Sequence, residues 1–487
     1  MKILFLNPPF KGRFSRTSRS PAVAVGGTIY YPFWLAYATG VAEDAGHTVL
    51  LLDAPADGLS LEVVLEKVRR FAPDLTVLDT STPSVYSDVA VAEEVKKTLP
   101  RCFVVLVGTH PSALPEATLA LSTSLDAVAV GEYDYTIRDL AQALETGESP
   151  STVPGLAWRR ADGAITRPEE REKIEDLDAL PFVASVYKKH LQYKNYFFAA
   201  AQYPMMMIIT GRGCPFKCFF CVYPQVFHSR KYRQRSPENV VAEFEYIKTN
   251  FPEVREVAIE DDCFTANPGR VRAICRLLIE RKLGMTWYCN ARGDVDYETL
   301  KLMRRAGCRL VIVGFESANQ QVLDLMHKNE KVANYHRFAQ DARRAGVMVH
   351  GCLMCGTPGD SLRAQEENYH FATEINCDSM QFYPLYVYPG TEAYQWAKEK
   401  GYLLTEDFSA WLKEDGSHNC VIDLEGMSAT EMVALCERNL RRYHLRPRYV
   451  LMKLGQALRQ PEEGWRSIKS GGMLLKKIAR EAMHAKR

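Results

Sequence analysis

Short apolar segments alternate with amphipathic helical segments through most of this 487-residue chain, and that alternation restricts the folds open to it. Up to about residue 150, five predicted strands are each followed by a helical segment. These strands are Lys2–Leu6, Thr48–Leu52, Leu75–Asp79, Phe103–Val107 and Ala127–Val130. The pattern predicts an α/β fold with a parallel, doubly wound, Rossmann-like sheet. It resumes at about residue 205 as six further strand–helix units, too few for a complete eight-fold barrel.

The carboxyl ends of the first five strands carry small, polar and turn-forming residues. In doubly wound sheets, ligands bind outside these strand ends. The residues there are Asn7, Pro8, Asp53, Thr80, Ser81, Thr82, Gly108, Thr109, His110, Gly131 and Glu132. They would let a large ligand approach the backbone. No G-x-G-x-x-G motif follows the first strand, so a dinucleotide site is not predicted.

Composition and punctuation divide the chain into four parts. We predict a Rossmann-like domain at 1–150, a linker with a hairpin at 151–204, a second α/β domain at 205–400 and a helical, basic segment at 401–487. The start MKILFLNPP is typical of a first strand rather than a signal peptide, and no apolar run is long enough to cross a bilayer. Thirteen cysteines, an odd number, do not suggest a disulfide framework. These features indicate a reducing, cytoplasmic setting.

The net charge of +2 conceals an uneven distribution along the chain. Residues 438–487 hold 14 Lys and Arg against 3 Glu, a net +11. Within them, Met473–Met483 reads as a basic amphipathic helix, which favours peripheral contact with the inner membrane surface about as much as a solvated terminal helix packed on the body. Nucleic acid is not expected as a partner, because aromatic residues are not interleaved with the cations.

Three cysteines, Cys214, Cys218 and Cys221, stand at a C-x3-C-x2-C spacing in one short loop. Three thiolates can hold three irons of a [4Fe–4S] cluster and leave the fourth iron open, whereas closed electron-transfer clusters use four cysteines. Two alternatives remain at this stage. The triplet could be redox thiols, or it could bind zinc, for which His228 is the nearest candidate fourth ligand.

The motif, with the apolar strand Met205–Thr210 before it and Phe220 ahead of the third cysteine, resembles that of the radical SAM superfamily. The domain before it resembles the cobalamin-binding domain fused to many members. The resemblance implies an open (β/α)6 barrel whose cluster binds S-adenosylmethionine at the open iron and cleaves it reductively to a 5′-deoxyadenosyl radical. It also implies cobalamin across the first sheet's strand ends. The cobalt-binding Asp-x-His-x-x-Gly motif is absent, so we expect that no protein imidazole, including that of His110, binds the cobalt.

The resemblance also implies roles for individual residues at the barrel's strand ends. Phe220 would cover the cluster and adenine. Glu260, with Asp261 and Asp262, would contact the methionyl ammonium, and Glu316 with Ser317 would hold the ribose. The remaining candidates are Gly356 beside adenine, Arg292 facing the carboxylate of S-adenosylmethionine or the substrate, and Cys355 as a hydrogen donor or cofactor-side residue. An alternative for Asp261 and Asp262 is capping of the next helix.

Softer cues, among them Tyr30–Trp34 and the Cys221–Gln225 turn, make the chain most similar to hopanoid-biosynthesis-associated members of that superfamily. We therefore expect radical rearrangement or oxidation of a lipid-like or lipid-linked small molecule, with electrons from a flavodoxin or ferredoxin. The alternatives are C-methylation from methylcobalamin and a non-enzymatic cobalamin or redox sensor.

Overall fold

A computed structural model describes residues 1–24, 26–166, 169–459, 461, 463, 464, 466 and 472. Its strands are β1 (Lys2–Asn7), β2 (Thr48–Asp53), β3 (Leu75–Asp79), β4 (Phe103–Val107), β5 (Ala127–Ala129), β6 (Leu156–Trp158), β7 (Met205–Ile208), β8 (Gly211–Arg212), β9 (Arg233–Gln234), β10 (Glu256–Ile259), β11 (Thr286–Ala291), β12 (Cys308–Glu316), β13 (Met348–Cys355) and β14 (Ser379–Pro384).

The helices fill the intervals between most of these strands, as the alternating pattern predicts. They are α1 (Phe33–Asp44), α2 (Ala54–Asp57), α3 (Leu61–Phe71), α4 (Val85–Thr98), α5 (Thr109–Ala113), α6 (Pro115–Ala120), α7 (Asp134–Thr146), α8 (Val183–His190), α9 (Pro237–Asn250), α10 (Pro268–Glu280), α11 (Tyr297–Arg305), α12 (Gln320–Leu325), α13 (Val332–Ala345), α14 (Leu362–Ile375), α15 (Glu392–Glu399), α16 (Ala429–Leu445) and α17 (Pro447–Arg459).

The first sheet has the strand order β2-β1-β3-β4-β5-β6. Five strands are parallel, and β6 closes the edge antiparallel to β5. All residues of β3 are buried, because helices cover both faces of the sheet. Since β6 belongs to this sheet, the first domain's sheet continues beyond the boundary expected at 150. The α/β fold with a Rossmann-like first sheet is confirmed.

The second sheet contains six parallel strands in the order β14-β13-β12-β11-β10-β7. Adjacent strands follow one another along the chain, apart from the small β8–β9 ribbon between β7 and β10. This is the partial barrel that the six strand–helix units predict. Most of its helices begin at side-chain caps; Ser236 Oγ accepts from the Asn239 amide at the start of α9.

The segment between α15 and α16 lies over the carboxyl edges of both sheets. Trp411 donates to the Val387 carbonyl at 3.0 Å, and Phe408 packs edge-on against His110 of the first domain. The Gly416 carbonyl accepts from the Val23 amide at 2.8 Å. The barrel and the first domain are therefore clasped together by this segment.

The carboxyl-terminal part is helical, as expected. The predicted amphipathic helix at 473–483 lies outside the described residues. Among the residues that are described, no helix has both the length and the apolar character needed to span a bilayer.

Candidate active site

The cysteine loop connects β8 and β9, and its conformation is fixed by a glycine at its start and by the side chain of Gln225. Gly213 has a φ of +87°, and a Cβ there would lie 2.3 Å from the Lys231 carbonyl, so the position requires glycine. The side-chain amide of Gln225 donates to the carbonyls of Cys218, Phe219 and Cys221, at 3.4, 3.0 and 2.9 Å. The Gln225 side chain thus fixes the backbone of the loop at the three residues Cys218, Phe219 and Cys221.

All three loop cysteines line one cleft at the carboxyl ends of the barrel strands. The cleft spans about 1100 Å³ of space not filled by protein atoms, part of which is open to solvent. Its other residues include Arg19, Phe216, Phe220, Asp262, Asn290, Arg292, Glu316, Lys328, Tyr383 and Tyr386. Burial raises the pKa of the Cys214 thiol to about 12 and also raises that of Cys218. Metal binding to these thiols would therefore release protons.

The three consecutive carboxylates after β10 point in different directions. Asp262 lines the cleft. Glu260 is buried beside it and accepts from Tyr288 Oη at 3.1 Å. Asp261 instead accepts from the amide and hydroxyl of Thr210, both at 2.6 Å. The capping interpretation of Asp261 and Asp262 is wrong, because Asn267 caps α10.

Arg19, which the sequence analysis did not single out, reaches from the first domain into this cleft. Its guanidinium contacts Glu260 Oε2 at 3.1 Å and Asp262 Oδ1 at 3.6 Å. It also donates to the Glu260 and Asp261 carbonyls, at 2.8 and 2.9 Å. The contact joins residues about 240 positions apart, and no local sequence pattern marks such a pair.

Glu316 sits at the end of β12 with a φ of +62°, a conformation that costs energy for a residue with a side chain. It accepts from Tyr383 Oη at 3.1 Å and lies 3.5 Å from Lys328 Nζ. Lys328 also lies 3.5 Å from Glu330, and it was missed in the sequence. Burial alone would lower the pKa of Lys328, but the two carboxylates raise it well above its ordinary value. A cation therefore faces the cleft beside the cysteines.

Arg292 lines the same cleft beside Lys328, to whose carbonyl it donates at 3.4 Å. Its guanidinium lies 3.7 Å from the centre of the Phe216 ring and donates to the Asn329 carbonyl at 2.8 Å. Its guanidinium also forms salt bridges to Asp294 at 3.2 Å and to Glu330 at 3.6 Å. The side chain therefore braces Phe216 at the cleft wall.

Three expected site residues are turned away from the cleft. The Cys355 thiol packs 3.8 Å from Met427 Sδ, on the α16 side of β13. Alternation along the strand gives the lumen side instead to Cys352, so we do not retain Cys355 as a catalytic residue. A Cβ on Gly356 would meet Met432 of α16 at 2.4 Å. Ser317 Oγ is buried against Asn368 at 3.3 Å.

In the first domain, one group of predicted ligand residues already has partners. Asn7 donates to Asp53 Oδ1 at 2.8 Å, and Arg16 donates to Asn7 Oδ1 and to the Pro8 carbonyl at 2.7 and 2.8 Å. Tyr196 donates to Asp53 Oδ2 at 2.8 Å. This end of the sheet is internally satisfied.

The centre of the same edge is different. Asp79 Oδ2, Thr80 Oγ1 and Tyr133 Oη are buried without a hydrogen-bond partner. A Cβ on Gly108 would lie 2.2 Å from the Thr80 carbonyl, so only glycine fits and no side chain covers the backbone at this position. Unpartnered buried polar groups are costly. The edge therefore fits a ligand rich in amide donors and acceptors, such as cobalamin.

The other predicted residues of this edge make local contacts. Ser81 Oγ meets Ser84 Oγ at 2.8 Å, and Thr82 Oγ1 lies 3.3 Å from His110 Nδ1. Thr109 begins α5, and the Gly131 amide donates to Ser112 Oγ at 2.9 Å.

Glu132 joins the first domain to the cysteine ribbon rather than facing the edge. It accepts from Arg233 of β9 at 2.9 Å and lies 3.5 Å from Arg212 of β8, which also bonds Asp134 at 2.7 Å. His228 Nδ1 lies 2.8 Å from Glu132. Both Glu132 oxygens are occupied, so a role in cofactor binding is not supported.

The zinc alternative relied on His228 as the nearest fourth ligand, and the structure places that side chain elsewhere. His228 is buried against Trp34 with ring centres 4.6 Å apart. In the part of the chain that the structure describes, no group of three or more His, Cys, Asp or Glu residues could hold a single metal ion.

Comparison with known proteins agrees with this arrangement. The family described as Radical SAM superfamily matches residues 208–372, and the one described as B12 binding domain matches residues 19–141. An uncharacterized methyltransferase of Pyrococcus horikoshii is 26% identical over 452 residues, 93% of this chain and 94% of the relative. The anaerobic magnesium-protoporphyrin IX monomethyl ester cyclase of Rubrivivax gelatinosus is 27% identical over 402 residues, 81% of this chain and 70% of the relative.

Among solved structures, the radical S-adenosylmethionine methyltransferase TsrM from Kitasatospora setae, with cobalamin and a [4Fe–4S] cluster bound, has a TM-score of 0.68 at 17% identity, covering 92% of this chain and 89% of that one. This likeness supports the fold. The hopanoid-associated subfamily remains a prediction. The domain matches and the relatives make a non-enzymatic sensor untenable. The chain joins a B12-binding domain to a radical SAM domain, and it is an enzyme of the cobalamin-binding radical SAM superfamily.

Proposed function

We propose that the three loop cysteines hold an open [4Fe–4S] cluster and that S-adenosylmethionine binds beside it in the cleft. The main support is that these thiols share one cleft with Asp262 and Lys328. A zwitterionic ligand could therefore pair its ammonium group with Asp262 and its carboxylate with Lys328. Cobalamin would bind at the unpartnered edge of the first sheet. Together these groups supply reductive cleavage of S-adenosylmethionine and a corrin able to carry a methyl group or an electron.

The chain's own residues bind and orient. Glu260 and Asp262 offer negative charge to an ammonium group, and Lys328 offers positive charge to a carboxylate. Glu316, held by Tyr383, presents a hydrogen-bond acceptor at the strand end, where a sugar hydroxyl would lie. Phe220 lines the cleft beside the cysteines and would cover a cluster bound there.

We propose a lipid-like or lipid-linked substrate whose carbon skeleton is rearranged or oxidised after hydrogen abstraction. Support comes from the apolar wall of the cleft, which comprises Val222, Ile312, Met354, Leu385 and Tyr388. Electrons would come from a flavodoxin-like or ferredoxin-like carrier. Thirteen unpaired thiols suit work in a reducing cytoplasm.

Methyl transfer to carbon is the second candidate, favoured by the long alignment with the methyltransferase of Pyrococcus horikoshii. The two reactions differ in their by-products. Methylation yields S-adenosylhomocysteine together with 5′-deoxyadenosine, whereas rearrangement yields no S-adenosylhomocysteine.

The test is anaerobic reconstitution followed by measurement of iron, sulfide and cobalamin per chain and of both nucleoside products. We expect about four irons, one cobalamin and 5′-deoxyadenosine formation that Cys218→Ala abolishes. A chain that binds zinc, or that never forms 5′-deoxyadenosine with reductant, contradicts the proposal. Iron without cobalamin would remove only the corrin part.

A further inference from the structure

Helix α17 presents an apolar stripe to solvent. Leu451, Leu454 and Leu458 follow one another along one side of the helix and are 68%, 58% and 87% exposed. Leu445 and Val450 adjoin the stripe, at 51% and 43%. Of the twelve exposed large hydrophobic residues in the described chain, five lie in this short stretch. Such clustering, unlike scattered exposed leucines, marks an interaction surface.

The side of α17 that faces the body is mixed in character, with Tyr449 and Met452 packed there beside Lys453 and Gln456. Tyr449 donates to the Asp378 carbonyl at 2.9 Å, and Gln456 donates to Asp378 Oδ1 at 3.3 Å. Lys453 lies 3.9 Å from the same carboxylate. An ordinary surface helix buries its apolar face and exposes its polar one. Folding of the described chain does not account for the exposed leucines, but an external apolar partner would.

Charge identifies the kind of partner. Arg448 and Arg459 are exposed on α17, and residues 438–487 carry 14 Lys and Arg against 3 Glu. A second copy of the chain would bring two strongly basic segments together, which repulsion opposes. An anionic bilayer attracts the cations and accepts the leucines at the boundary of its acyl chains. We propose that α17 docks this enzyme on the surface of an anionic membrane.

The docking surface and the cleft lie at opposite ends of the barrel. Asp378, which anchors α17, immediately precedes β14, whereas the cleft lies beyond the carboxyl ends of the strands. Docking would therefore leave the cleft open to the aqueous side. Loss of membrane binding should leave cleavage of S-adenosylmethionine in solution unchanged, so the proposal stands or falls separately from the proposed function.

The test is co-sedimentation of the full-length, reconstituted enzyme with vesicles of phosphatidylglycerol and phosphatidylcholine, or of phosphatidylcholine alone. We expect binding to the anionic vesicles that salt weakens. The triple substitution Leu451→Ser, Leu454→Ser and Leu458→Ser should lower the partition coefficient at least about tenfold. The matched control, Leu362→Ser with Leu404→Ser, removes leucines that are 57% and 54% exposed elsewhere and should bind like wild type.

Three results would overturn the proposal. One is wild-type enzyme that stays in the supernatant with anionic vesicles, as it would if another part of the chain or a protein covered the stripe. Another is a triple variant that binds vesicles as well as wild type does. The third is a wild-type dimer, detected by light scattering without lipid, that the triple variant converts to monomer.

Discussion

At the scale of single residues, Gln225 controls the shape of the cysteine loop. Its two amide hydrogens are shared among three loop carbonyls, and a typical hydrogen bond contributes about 1 kcal/mol. We expect Gln225→Leu to retain less than about half of the wild-type iron and sulfide after anaerobic reconstitution. Gln395→Leu removes an exposed amide that bonds Glu399 on α15 and should retain the full content. Equal iron in both variants would show that the loop holds its shape unaided.

The buried carboxyl of Asp79 makes stability depend on pH. Burial raises its pKa from 3.8 to about 7, so the folded protein favours the protonated form. The stability it contributes is fully present below pH 3.8 and is lost as pH rises through about 7. Asp79→Asn stays neutral throughout.

In cobalamin-free protein, we therefore expect Asp79→Asn to match wild type at about pH 4 and to be more stable, by up to about 4 kcal/mol, at about pH 8. Urea unfolding at both pH values measures the difference. Asp162→Asn, at an exposed turn, is the control. A variant with no advantage at the alkaline end would show that Asp79 is solvated.

Residue identity predicts some of the site and not the rest. Spacing alone brought the three loop cysteines together, because residues in one short loop must share its surroundings. Strand alternation places Cys352 and Cys355 on opposite faces of β13, but alternation alone does not say which face lines the lumen. Arg19 and Lys328 escaped notice because their partners are distant in sequence or come from irregular segments. The contact of Glu132 with Arg233 was not predicted, because β9, which supplies the arginine, is too short to be recognised in the sequence.

At the scale of elements, the β8–β9 ribbon is fastened to the first sheet by buried charges. Arg233 and Glu132 are each about 98–99% buried at the side chain. Removing one member leaves the other uncompensated, which typically costs 3–5 kcal/mol. We expect Glu132→Ala to lower the free energy of unfolding by about that amount.

The neighbouring pair on this ribbon supplies the control. Lys231 and Glu175 are 67% and 62% exposed, and such pairs contribute about 0–1 kcal/mol. Lys231→Ala should therefore leave the thermal unfolding midpoint nearly unchanged. If both variants unfolded at the same temperature, the buried cluster would not be what holds the ribbon.

Element positions were predictable where apolar runs were bounded by turn residues. Strands β3 and β4 have the expected bounds. Strand β12 extends through Glu316, which is still paired with Leu353 of β13. The pairing of β6 with the first sheet was not foreseen, because strand pairing depends on tertiary packing.

At the scale of the whole molecule, Arg19 couples the first domain to the barrel. Its side chain is 35% exposed, whereas those of Glu260 and Asp262 are 2% and 5% exposed. We expect Arg19→Met to increase amide hydrogen exchange in residues 15–24 and 260–262, with no change in β1 to β5. Arg13→Met, in the same loop but bonded to the Asn195 carbonyl, is the control. Identical exchange in both variants would remove Arg19 as the link.

The charge cluster around Glu132 has one more consequence. It links the β8–β9 ribbon, which carries the cysteine loop, to the first sheet, whose carboxyl edge is suited to a corrin. A cluster held by the loop cysteines and a corrin held at that edge would therefore stay at a fixed distance from each other. Turnover would then require no movement of one domain relative to the other. The substrate would have to fit into a space of fixed width between the two cofactors.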